Sequence, residues 1–355
     1  MVYILFAILL FGILVILHEL GHFLAAKAFG VRVNEFSVGM GPRLCGFTRG
    51  ETEYSLRLVP LGGYCALEGE EEETDDPRSL RRQKAWKQFI IFVAGAAMNL
   101  LTGFVMILCL YSSAQAFYTA DILSLNEGFP QQGEDGLLVG DRIYAINGER
   151  VYVRDDVELI LQLGGGRDET LQMTVLRGGR KLTRTLTKQT YTAEDGSAYR
   201  AYGFTYGGVV EATLARKLQY SWYNTIDFVR LVRFSLRMIV SGAAGVRDLS
   251  GPVGIVSTIN EVGKTTEAAA GFGAAVEEIV YFGAMIAVNL AVMNLLPLPA
   301  LDGGHVLFLA VNVAARRLFR REIPEKYLGA INAVGMVALL ALMAVVTLQD
   351  IIKLF

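Results

Sequence analysis

Ile13-Leu14-Val15-Ile16-Leu17-His18-Glu19-Leu20-Gly21-His22-Phe23-Leu24 sets an H-E-x-x-H pattern inside an apolar run that begins at the first methionine. On a helix, residues four apart lie nearly one above the other, so His18 and His22 can offer two imidazoles to one metal ion. Glu19 stands beside them, where it can take a proton from a metal-bound water. These are the residue types and spacing of a zinc peptidase. The surroundings give the pattern its weight. On a soluble helix surface the same five letters are as well explained by chance, but polar side chains in a hydrocarbon-spanning helix are costly to insert and mark function. The chain has 3 histidines in all, and the third, His305, falls in the other unusual stretch, described below.

Outward from this stretch, composition sets the class. The 355 residues are 53% hydrophobic with a formal net charge of -2, which excludes a polybasic nucleic-acid binder and implies no nucleic-acid partner. The apolar residues are gathered in long runs with ordinary soluble sequence between them, the pattern of a polytopic membrane protein carrying an extramembrane domain. Cys45, Cys65 and Cys109 have no C-x-x-C spacing and are odd in number, so they read as unpaired thiols rather than a disulfide or metal framework.

The first run, about residues 2–26, has no Lys or Arg before Lys27. It therefore reads as a retained transmembrane helix and not as a cleaved leader. Residues 27–87 hold many basic side chains, among them Arg43, Arg81, Arg82, Lys84 and Lys87. The positive-inside rule makes this loop cytoplasmic, with the N-terminus outside and His18–His22 in the cytoplasmic half of the helix. Asn34–Pro42 and Glu53–Tyr64 alternate or carry β-formers between Gly and Pro, predicting a hairpin beside the site. The acidic run Glu68–Asp76 reads as a solvated face. A second apolar helix covers about 88–113. Residues 114 to 210 then turn to short strands, with Asn147-Gly148 as a strong hairpin signal. Residues 214–241 have helical periodicity, with Trp222, Val229, Val232, Leu236 and Val240 on one face and Arg230, Arg233 and Arg237 beside it. Parity of the spans puts this helix in the interface, because a crossing here would carry the basic Arg316–Arg321 loop outside. Phe272–Leu298 and about 327–348 supply the third and fourth spans, leaving both termini outside.

The second half of the site follows Asn289-Leu290-Ala291-Val292-Met293-Asn294-Leu295-Leu296-Pro297-Leu298-Pro299-Ala300-Leu301-Asp302-Gly303-Gly304-His305. Pro297 and Pro299 break the helix and Gly303 and Gly304 permit unusual backbone angles. Such backbone at membrane depth is tolerated only where it is buried in protein or lines a polar cavity. Asp302 at the break is a natural third metal ligand at the depth of His22, with the fourth position left for water. His305 competes for that role and is read as supporting or structural. Asn294 is either an ordinary helix amide or one that holds substrate backbone or a developing oxyanion.

These motifs together resemble the site-2 protease family of intramembrane zinc metalloproteases, peptidase M50, in its bacterial RseP and RasP type. H-E-L-G-H lies in the first helix and N-L-L-P-L-P-A-L-D-G-G in the third. Gly136-Leu137-Leu138-Val139-Gly140-Asp141-Arg142-Ile143-Tyr144-Ala145-Ile146-Asn147-Gly148 looks like the core of a PDZ domain of the bacterial protease type, here single, and Ser250–Ile255 is similar to the segment before helix three. The resemblance implies Zn2+ held by His18, His22 and Asp302, Glu19 as catalytic base, Asn294 engaging the substrate, and the loop after helix one pairing with substrate as a strand. The expected architecture is four transmembrane helices with a membrane-associated β-hairpin plus one inserted extracytoplasmic PDZ domain. The divisions are 1–113 and 271–355 for the two halves of the membrane core, 114–210 for the PDZ domain, and 211–270 for the amphipathic interfacial helix and linker. The implied activity is regulated intramembrane proteolysis in the bacterial cytoplasmic membrane. Its substrates would be single-pass membrane proteins such as anti-sigma factors or signal-peptide remnants, first cut by an upstream site-1 protease, with membrane lipid as the other partner. A non-catalytic PDZ scaffold is disfavoured by the presence of Glu19. An ion transporter is disfavoured because the fourth span offers little polarity beyond Asn332.

Overall fold

The computed structural model of the chain describes residues 2–70, 74–163, 169–193, 195–245, 248–320 and 325–353. Glu71–Glu73 of the acidic run and Arg321 of the basic loop lie outside these residues. Contacts divide the chain into two units, one of Met1–Ile107 with Met238–Phe355 and one of Leu108–Arg237.

The first unit is built on helices. Its elements in order are α1 (Val2–Ala28), β1 (Val33–Arg49), β2 (Thr52–Leu67) and α2 (Ala85–Leu110), and later α5 (Pro252–Ala270), α6 (Phe272–Asn294), α7 (Asp302–Phe319) and α8 (Glu325–Lys353). Among the described residues, four helical stretches, Val2–Ala28, Ala85–Ser113, Phe272–Asn294 and Tyr327–Lys353, are long and apolar enough to cross a membrane. At 1.5 Å per residue, about 20 residues suffice for the hydrocarbon core. α1 packs Tyr3, Ala7 and Leu14 against Ile259, Ile279, Ile286 and Ala287 of α5 and α6.

β1 and β2 do more than pair once. Val33–Val38 pairs with 63–67 on one side and with Glu53–Leu56 on the other, while Arg43–Arg49 returns onto Thr52–Arg57. Gly39 makes the bend possible: its φ is +87° and a Cβ there would lie 2.7 Å from the Val59 carbonyl oxygen, conditions that only glycine tolerates. The segment 63–67 is thereby left as an outer edge, with no strand on its free side among the described residues.

Two helices here exceed what periodicity predicted. α5 fills what reads in the sequence as linker; Pro252 opens it, and Gly251 N and Gly254 N both donate to Asp350 Oδ2 of α8 at 2.8 Å. Gly263 of α5 seats the Tyr3 ring, whose hydroxyl donates to Glu267 at 2.8 Å. The third span ends at Asn294 and not at Leu298, because the residue before a proline is driven out of the helical region. After the break α7 begins, with Asp302 as its first residue. Ala300, at φ +70°, donates its N–H to Asn332 Oδ1 at 2.6 Å. The polar residue of the fourth span therefore holds the broken backbone.

The second unit carries the strands. They are β3 (Ala116–Tyr118), β4 (Ile122–Leu125), β5 (Arg142–Ile146), β6 (Glu149–Arg150), β7 (Thr170–Arg177), β8 (Arg180–Thr187), β9 (Gln189–Thr192), β10 (Ala198–Ala201), β11 (Phe204–Tyr206) and β12 (Val209–Glu211), with helices α3 (Arg154–Leu163) and α4 (Leu214–Val240). A four-stranded sheet in the order β6-β5-β7-β8, the β4–β11 pair and α3 line a core of Ile122, Leu137, Ile143, Ile146, Ile160, Leu171 and Met173, and β9 pairs with β10 and β3 with β12. Asn147 and Gly148, at φ 48° and 82°, form the turn between β5 and β6 that their dipeptide signals. Asp141 is buried, which raises its pKa, but the ion pair with Arg177 at 2.6 Å outweighs this and holds the carboxyl below its ordinary range.

α4 differs from its helical-wheel reading. Its buried face is Ser221, Asn224, Thr225, Asp227, Phe228, Arg230, Val232 and Phe234, while Trp222 and Val240 are exposed. Arg230 is not part of an open basic stripe: it pairs with Asp156 at 2.8 Å and Asp227 at 3.1 Å, and donates to Arg150 O. Asp156 also accepts from the Tyr152 and Val153 amides. The carboxylates that draw Arg230 inward are placed by the fold, so a wheel drawn on α4 alone cannot show them. Removing one partner of a buried ion pair costs roughly 3–5 kcal/mol, and Arg230→Met is expected to lower the stability of this unit by that amount. Faster hydrogen exchange in β5 and β7 at unchanged protection of α1 is the measurement that checks it.

Candidate metal centre and active site

α1 turns His18 and His22 to one side, and both are buried. The start of α7 brings Asp302 to meet them. His18 Nε2 lies 3.2 Å from His22 Nε2 and 3.2 Å from Asp302 Oδ2, and His22 Nε2 lies 3.4 Å from the same oxygen. These three are the one group of potential metal donors that converge in this way among the described residues. Asp302 Oδ2 is buried without a hydrogen-bond partner. Donor atoms around a tetrahedral ion at about 2.0–2.1 Å stand roughly 3.3 Å apart, so the triangle has the size of one face of a zinc site. Two imidazoles and a carboxylate are also a donor set that catalytic zinc accepts. The residues fit the ion.

The convergence depends on helices that approach without side chains between them. A Cβ on Gly21 of α1 would lie 2.4 Å from the Ala94 oxygen, and a Cβ on Gly95 of α2 would lie 2.3 Å from His22 Nε2 and 2.7 Å from His18 Cε1. Gly303 and Gly304 do the same for α7: a Cβ on either would fall within 2.4 Å of a backbone oxygen of the Leu295–Leu298 turn. α2 also supports the rings by hydrogen bonds. His22 Nδ1 stands 2.8 Å from Ile91 O, and His18 Nδ1 stands 3.3 Å from Asn99 Nδ2.

Glu19 is half-buried and faces β2: the Cys65 backbone amide points to its carboxylate, and its Cγ lies 3.8 Å from where a Gly63 Cβ would be. The edge segment 63–67 therefore runs beside the carboxylate. Asn294, the last residue of α6, places Nδ2 3.3 Å from His18 Nε2. His305 is separate from the donor triangle and stacks on Phe92 at 5.2 Å. Three contributors escaped the sequence reading. Gly95 and Asn99 carry no signal in a lone apolar helix. Glu70, just past β2, lies where the charges of His22, Glu19 and Asp302 reach it, and burial pushes its carboxyl up to about 7.

Over residues 6–342 the sequence matches the profile described as peptidase family M50. The chain belongs to this family. It is 36% identical over 351 residues to a Clostridium perfringens protein named as a zinc metalloprotease, which covers 99% of this chain and 98% of that one. It is 29% identical to zinc metalloprotease RasP of Shouchella clausii over 98% of both chains. To the Bacillus subtilis regulator of sigma-W protease RasP it is 26% identical, again over 98% of both. An M50 zinc metalloprotease with helices of membrane-spanning length is thus what the site and the relatives jointly describe.

Proposed function

We propose that this chain is an intramembrane endopeptidase that cuts transmembrane segments of membrane proteins already trimmed on their outer side. The observation that carries the reading is the donor triangle of His18, His22 and Asp302 between helices of membrane-spanning length, with Glu19 beside a free strand edge. Zinc held by those three residues supplies Lewis-acid polarisation of the scissile carbonyl and a water acidified toward neutrality. Glu19 accepts the proton of the attacking water and returns it to the leaving amine. Asn294 Nδ2 donates to the substrate oxygen as negative charge develops on it. A helical substrate hides its carbonyls, so it must unwind first. Pairing of the unwound stretch with 63–67 satisfies the freed backbone groups.

The active site then faces the cytoplasmic side, and both termini and the second unit lie outside, as the basic loop 27–87 requires. The second unit is a single PDZ domain that excludes uncut substrates with bulky ectodomains. Leu214, Leu218 and Trp222, all exposed at four-residue spacing, rest on the outer lipid surface at the start of α4. Anti-sigma factors are one substrate class, in line with the name of the Bacillus subtilis relative; signal-peptide remnants are the other.

The test uses purified protein in detergent with a transmembrane substrate lacking its ectodomain. Cleavage is expected with about one zinc per chain, to stop on chelation, and to return on adding zinc. Zinc-free protein that cuts equally well would sink the reading. The filter has its own test. Tyr118 and Val209 are register partners of β3 and β12, so residues 119–208 can be excised and the ends joined by a short glycine linker. The shortened enzyme is expected to cut substrates that still carry their ectodomains; if it spares them while cutting trimmed ones normally, the filter idea fails.

A further inference from the structure

α2 contributes no metal ligand, yet it touches the far nitrogen of both imidazoles. For His22 the partner is Ile91 O at 2.8 Å. A carbonyl can only accept, so Nδ1 carries the hydrogen and Nε2 keeps its lone pair for a metal. For His18 the partner is the side-chain amide of Asn99, 1% exposed, with Nδ2 at 3.3 Å from Nδ1. Which amide atom faces Nδ1 follows from the ring tautomer, and Asn294 Nδ2, a donor, stands 3.3 Å from His18 Nε2, which calls for a lone pair on Nε2 and the ring hydrogen on Nδ1. A lone pair on Nε2 is what a zinc ligand needs, and it asks for an acceptor at Nδ1.

The amide can supply that acceptor. Asn99 Oδ1 is buried and has no hydrogen-bond partner. Exchanging Oδ1 and Nδ2 by rotation about the last side-chain bond therefore breaks no other hydrogen bond, and the two groups are nearly the same size. After rotation Oδ1 accepts from Nδ1–H, and Nε2 is left with a lone pair toward the donor triangle. Ligating histidines are oriented by such an outer acceptor, and its loss lowers metal affinity by about 10–100-fold.

We infer that Asn99 is the positioning residue for His18, its side-chain oxygen accepting from Nδ1–H so that Nε2 keeps a lone pair for zinc. This rests on the zinc site proposed above. Asparagine suits the place because its amide oxygen is such an acceptor, as a carboxylate would be, whereas an apolar residue offers none.

The experiment measures zinc affinity of the full chain in detergent by chelator competition, for wild type, Asn99→Leu, Asn99→Asp and Thr102→Val. Leu, without an acceptor, is expected to bind zinc about 10–100-fold more weakly. Asp, which keeps the acceptor, is expected to bind at least as tightly as wild type. Thr102, whose hydroxyl donates to Met98 O on the same helix, is the control and leaves affinity unchanged. Thermal unfolding of each metal-free variant separates loss of zinc from loss of fold, and rescue by Asp does so independently. Wild-type affinity in the Leu variant overturns the inference while leaving the zinc site intact. If wild-type affinity is indifferent to Asp302→Ala, the zinc site itself falls, and the role of Asn99 falls with it.

Discussion

Gly95→Ala is expected to strip the site of zinc although glycine binds nothing there. The added methyl would sit 2.3 Å from His22 Nε2 and 2.8 Å from His18 Nε2, the two atoms that face the proposed metal position. Neither ring can step aside freely, because Ile91 O holds one and Asn99 the other. Helix α2 cannot retreat either without drawing those same partners away. An interior packed at crystal-like density transmits such a strain to its neighbours. Zinc affinity should drop by on the order of 10²-fold or more, at or beyond the loss that follows removal of an outer-shell partner. Metal analysis of the purified variant and chelator competition measure it. Gly103→Ala is the comparison. On the same helix its Cβ would press on Val288 Cγ2 at 2.7 Å, a contact with α6 remote from the imidazoles, so zinc is expected to remain. Equal zinc content in both variants would show that the approach of α2 to α1 is looser than the geometry here.

The second large effect separates chemistry from metal binding. Glu19→Gln keeps the size of the side chain and leaves His18, His22 and Asp302 untouched. An amide cannot accept the proton of the attacking water, and general-base catalysis contributes about 10²–10⁴-fold. Cleavage of a trimmed transmembrane substrate is expected to fall by that factor at unchanged zinc content. Retained cleavage would move the base elsewhere, and Glu70 is then the carboxyl to examine, since it senses the charges of Glu19 and Asp302. Double substitution of Glu19 and Glu70 decides between them.

The proposed metal ligands lie 284 residues apart in the chain, from His18 to Asp302, yet both stand out in the sequence. The reason is local in each case: polar letters at helical spacing within an apolar run, and a carboxylate beside prolines and glycines at the end of another. Hydrocarbon surroundings penalise both unless they are used. The spans, the hairpin and the Asn147-Gly148 turn were legible for the same kind of reason, since apolar run length, alternation and turn chemistry are properties of neighbouring residues. α5 and α7 were less so, because their glycines and mixed polarity weaken the periodic signal, and their helices are fixed by contacts such as Asp350 on Gly251 and Gly254.

The sequence by itself brought out the candidate donors, the carboxylate proposed as base, the number of membrane-length helices and the family. The tertiary structure alone decided what holds the donors in place: Ile91 O reaches His22 across 69 residues and Asn99 reaches His18 across 81. It also decided that Gly95 must be glycine and that Arg230 is buried and not presented to lipid. A backbone carbonyl has no letter of its own, and a glycine or an amide in an apolar helix acquires meaning only from the helix that packs against it.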